Sequence, residues 1–121
     1  MHIESISIQD DQLCASSFDE KSVSMLRTIA KDYGFAEQPI SIDSRKKGCI
    51  AIFGKSYELD SKRNIHRYVT ITASKNADGH IAVSISEAFA FSESSFAKTV
   101  RLSLEKRLRD ELPGATITFC E

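Results

Sequence analysis

Apolar positions recur along this chain with two different periods. After Ser17 they fall at Val23, Leu26, Ile29, Ala30 and Tyr33, the spacing of one face of an α-helix. Ser17 with Glu20 fits a capping box, and Gly34 supplies a left-handed stop, so an amphipathic helix is predicted over roughly 18–33. Upstream, Ile6 and Ile8 alternate with serines in "IESISIQ"; this reads as a short first strand whose parity is broken by Ile3.

Beyond a loop around Pro39 the period changes to two. Three runs, 49–57, 66–75 and 80–91, are rich in β-branched and aromatic residues and separated by turn chemistry, which predicts an antiparallel meander. "NADGH" suits a type I turn at Ala77 and Asp78 with Gly79 in the left-handed position. If Asn76 faces His80, partners have residue numbers summing to 156. Ala73 then meets Val83, Ile71 meets Ile85 and Val69 meets Glu87. A slip of one residue would set isoleucines against serines, so the apolar pattern selects the same register as the turn.

Phe96, Val100, Leu104, Leu108 and Leu112 form a second helical stripe, capped by Ser94 or Ser95 and ended by Pro113-Gly114. In "ATITFC", Ala115, Ile117 and Phe119 alternate with polar positions and make a closing strand. The predicted fold class is α+β: an antiparallel sheet, built from a three-stranded meander plus one or two terminal strands, with two amphipathic helices packed on one face in the order (β)-α-β-β-β-α-β.

Composition adds bounds to that picture. At 121 residues, with 41% apolar and 27% charged residues, the chain has the size and balance of one globular domain, 1–121. It shows no basic n-region followed by an apolar stretch and no run long enough to span a bilayer. Three cysteines, Cys14, Cys49 and Cys120, are odd in number and share no C-x-x-C spacing, which fits a reducing cytoplasm.

Charge is unevenly spread. Residues 1–44 carry −5, residues 45–75 carry +6 and the remainder −2, for a net charge of −1. The basic stretch contains Arg45, Lys46, Lys47, Lys62, Arg63 and Arg67, a candidate contact for an anion or a nucleic acid. "KGCIAIF" matches the RNA-recognition signature at Lys47-Gly48, but Cys49 and Ala51 stand where aromatic rings would stack on bases, so that family is not indicated.

No cofactor, metal or catalytic motif emerges. In the derived register His66 and His80 lie roughly 33 Å apart and cannot share a metal. The cysteines have no adjacent base, and the glycines are too dispersed for a phosphate-binding loop. Arg101–Glu105, Lys106–Asp110 and Arg107–Glu111 have the i, i+4 spacing of a solvent-facing helix side. Arg67 and Glu87 are charged at positions of core parity, diagonal to each other across the hairpin; an ion pair at the core rim is the favoured reading over a general acid/base and anion-binding pair.

The remaining feature is the polar face of the hairpin, where Tyr68, Thr70, Thr72, Ser84 and Ser86 make a flat surface without long charged side chains. The sequence therefore points first to a non-enzymatic protein-interaction module, a chaperone-like, adaptor or toxin-neutralising partner. It would bind another protein, or a second copy of itself, through this face or a charged rim. The second expectation is nucleic-acid binding through 45–67, and the third a small hydrolase-type enzyme using Glu87 and Arg67.

Overall fold

Alternation along the strands sorts side chains onto the two faces of a single antiparallel sheet in a computed structural model of the chain. The structure describes residues 2–9, 15–60, 62–63, 65–75, 80–87, 96–112 and 116–120. Their order is β1 (His2–Gln9), α1 (Ala15–Asp32), β2 (Ala36–Gln38), α2 (Ile42–Lys46), β3 (Cys49–Asp60), β4 (Ile65–Lys75), β5 (Ile81–Glu87), α3 (Phe96–Glu111) and β6 (Thr116–Cys120). The sheet has six strands in the order β2-β3-β4-β5-β1-β6.

The predicted register holds at every described pair of the β4–β5 hairpin. Val69 faces Glu87, Ile71 faces Ile85 and Ala73 faces Val83, while Thr72 faces Ser84 on the other side. The "NADG" turn itself lies outside the described residues. β1 sits between β5 and β6, with Ile6 opposite Val83 and Phe119, and Ile8 opposite Ile81 and Ile117. Ile3, opposite Ser86, stands one residue off that parity.

Both long helices cover the isoleucine face. Leu26, Ile29 and Ala30 of α1 and Ala97, Val100, Leu104 and Leu108 of α3 are buried against Ile6, Ile8, Phe53, Val69, Ile71, Val83 and Ile85. Each large side chain so buried stabilises the fold by about 1.5–3 kcal/mol relative to exposure. α3 lies over β1, β5 and β6, and α1 over β2 and β3. α1 ends as its sequence requires: Gly34 adopts φ 82°, its N–H bonds to the Lys31 carbonyl at 3.0 Å and the Phe35 N–H reaches the Ala30 carbonyl at 2.8 Å. This is a Schellman motif, and it turns the chain directly back into β2.

Several boundaries differ from expectation. α1 begins at Ala15, so Ser17 lies within its first turn rather than capping it. The stretch around Pro39, read as loop, contains the short β2 and the five-residue α2, which Ser41 caps by accepting the Ser44 N–H at 3.1 Å. β5 is described only to Glu87; the expected extension to 91 lies outside the described residues, as do the caps Ser94 and Ser95.

Arg101 and Glu105 also differ from the solvent-facing pair that their spacing implied. Arg101 is buried, 2.8 Å from Glu105 and 3.7 Å from Glu4 on the helix-covered face of β1. The physical reason is the order of strands: placing β1 beneath α3 brings an acidic side chain under the helix, which the helical spacing alone cannot reveal. Arg109 extends the cluster by bonding to Glu105 at 2.6 Å and to the Ile117 carbonyl of β6 at 3.0 Å.

Candidate functional site

The face opposite the two long helices is covered by neither of them. Its centre is built by the positions between the buried isoleucines: Thr70, Thr72 and Ser74 on β4, Ala82, Ser84 and Ser86 on β5, Ser5 and Ser7 on β1. All eight are partly exposed. Rows of partners run across the strands, so that Thr72, Ser84 and Ser5 lie side by side, as do Ser74, Ala82 and Ser7.

Strand spacing fixes the size of this surface. From β3 to β6 there are four intervals of about 4.8 Å, and from Tyr68 to Ser74 six residues of about 3.4 Å, giving a patch of roughly 400 Å². None of the described side chains inside it is charged. Ile52 and Gln38 border it on the β3–β2 side and Thr118 on the β6 side.

Tyr68 closes one corner. It is 43% exposed, and its ring lies diagonally over Gly54 of β3, which is buried beneath it. A β-carbon at residue 54 would overlap the Tyr68 hydroxyl, so glycine there is what allows the ring to lie flat on the sheet. The five contact residues expected from the sequence, Tyr68, Thr70, Thr72, Ser84 and Ser86, thus share one face. Ser5, Ser7, Ile52 and Thr118 enlarge it; the Ile-Ser alternation of β1 is the signal that marks the first two.

The basic residues are divided. Arg45, Lys46 and Lys47 end α2 just before β3, whereas Lys62 and Arg63 lie beyond its far end. The 12 residues of β3 separate the two groups by about 40 Å along the strand. Arg67 stands opposite Tyr57, near the second group. Residues adjacent in the sequence plot of charge therefore occupy opposite ends of a hairpin.

Glu87 is fully buried, and one carboxylate oxygen accepts the Ala97 N–H in the first turn of α3. A carboxylate in that position complements the positive end of the helix dipole. Burial raises the Tyr57 phenol above its ordinary pKa, and the negative charge of Glu87 adds to the rise. Arg67 is diagonal to Glu87 in the observed register, but its side chain lies outside the described residues.

Cys49 is a buried free thiol. Among the described residues no group of three or more His, Cys, Asp or Glu side chains is placed to hold a metal, and no helix is long and apolar enough to cross a membrane. No protein-family model matches the chain, and no curated protein is significantly similar to it.

Proposed function

We propose that this protein is a non-enzymatic, cytoplasmic interaction module that docks another protein on the open face of its sheet. The observation that carries this reading is the uncharged Ser/Thr centre of that face. Solvated sheet faces ordinarily carry long charged side chains, whereas depletion of charge marks the middle of a protein interface. Short side chains lose little rotamer freedom on contact, and hydroxyls both donate and accept hydrogen bonds. At roughly 400 Å² the patch, Tyr68 included, is about half of one partner's share of a standard interface, so the surrounding rim completes the contact.

Separation of the basic residues into two groups supports a protein partner over a nucleic acid, because neither group alone makes a continuous track for phosphates. Affinity capture of the tagged protein from its native lysate, with proteins and nucleic acids both identified, tests the choice. A stoichiometric protein partner is expected. Nucleic acid that stays bound at about 0.15 M salt and resists competitor would overturn the proposal.

A further inference from the structure

On the helix-covered side, at the β2 edge, lies a half-open cavity of about 290 Å³ lined by Arg27, Lys31, Phe35, Ala36, Glu37 and Phe53. We infer that it is a binding site for a small monoanion with an aromatic or branched aliphatic body, a ligand role separate from the open sheet face.

The cavity follows from the way α1 ends. The Schellman turn at Gly34 brings Phe35, Ala36 and Glu37 back beside the last two turns of the helix. Glu37 stands opposite Phe53 in the β2–β3 register, so both belong to the helix side of the sheet. Buried Phe53 and Phe35 make an apolar floor.

Charge at the rim is specific in sign and number. Arg27 grips Glu37 with two bonds, Nε to Oε2 and Nη2 to Oε1, each 2.9 Å, which ties α1 to the edge strand and cancels both charges. Asp32 is taken by Arg107 of α3 at 2.5 Å. Lys31, one turn beyond Arg27, has no carboxylate within ion-pair distance among the described residues. One cation is therefore available over an apolar floor, and among the lining residues no second one remains to meet a further negative charge on the ligand.

The volume lies at the lower limit of the roughly 300–1,000 Å³ typical of ligand sites, which restricts the occupant to a small molecule. A carboxylate attached through one or two carbons to a ring or branched chain places its charge at Lys31 and its body on the phenylalanines. A neutral isostere forfeits the first contact, and the second carboxylate of a dicarboxylate is desolvated without a cation to pair with.

The test is a titration of the isotopically labelled full-length protein with phenylacetate, followed by backbone amide shifts. Saturable shifts are expected at Phe35, Ala36, Glu37 and Phe53, with at least a threefold weaker affinity for phenylacetamide and for phenylmalonate. Lys31→Glu, at an exposed position, should weaken phenylacetate binding further while leaving amides remote from the cavity unchanged. Absence of saturable shifts at those four residues up to ~10 mM, far weaker than a formed site would give, overturns the inference. So does equal affinity for the acid and its amide in the unmodified protein, a comparison independent of how any variant folds.

Discussion

The Tyr68 hydroxyl occupies the space that a β-carbon on Gly54 would need, so an aromatic residue on β4 and a glycine on β3 form one unit of the open face. Gly54→Ala should displace the ring and destabilise the protein by about 1 kcal/mol, the lower range for overpacking, because the ring is partly exposed and can swing away. In a Tyr68→Ser background the same change should be neutral or stabilising by about 0.5 kcal/mol, since alanine is the better strand residue once the space is free. Urea unfolding of the four proteins in this cycle reads the coupling, and additive effects would contradict the contact.

Arg101 ties α3 to β1 through Glu4 and to its own helix through Glu105. Arg101→Ala should cost about 3 kcal/mol, because the nearly buried Glu4 loses the guanidinium beside it while Glu105 keeps Arg109. Arg101→Met combined with Glu4→Leu and Glu105→Leu should recover most of that stability. Equal unfolding midpoints for the single and triple variants would show that the charges do not act together.

Glu87 sets the start of α3. Glu87→Ala removes the acceptor for the Ala97 N–H and leaves a cavity, for an expected loss of about 2–4 kcal/mol. Glu87→Gln retains an acceptor oxygen and should lose less than half as much. Denaturation midpoints separate the two, and identical losses would mean that charge rather than hydrogen bonding holds the helix there.

The hydrogen bonds from Arg27 hold the Glu37 carboxyl below the usual carboxylate pKa, with burial opposing and the Arg27 charge assisting. Because the folded value lies below the unfolded one, the pair stabilises the protein above the unfolded pKa of about 4.3, and this contribution fades as pH falls through the folded value. Both partners are about half exposed, at 52% and 44%, which keeps the contribution within about 0.2–1 kcal/mol. Glu37→Gln should flatten the stability profile below pH ~4.5 by that amount in urea midpoints measured from pH 6 to 3.

Much of this architecture was legible from periodicity. The β4–β5 register followed from two agreeing signals, the turn and the alternation, and every described pair obeys it. β2 and α2 were illegible because three and five residues are too few to display a period. Arg101 and Glu105 carry the spacing of a surface ion pair, and only the insertion of β1 between β5 and β6 places Glu4 beside them. The basic stretch looked continuous since sequence distance ignores the length of β3. The Arg27–Glu37 cavity depends on the chain reversal at Gly34, whose direction no local pattern encodes.

The open face is the centre of the functional proposal, and Thr72 and Ser84, direct partners across β4 and β5, lie in its middle. Thr72→Lys with Ser84→Glu sets opposite charges across the strand pair, which keeps the sheet compatible with folding while placing two long charged side chains on the contact surface. The deciding measurement is quantitative capture from native lysate by the unmodified protein and by this double variant, after matching amide spectra confirm that both fold alike. Loss of most of the captured partner from the double variant is the predicted result; undiminished capture of the same partner would show that it binds elsewhere and contradict the assignment of this face.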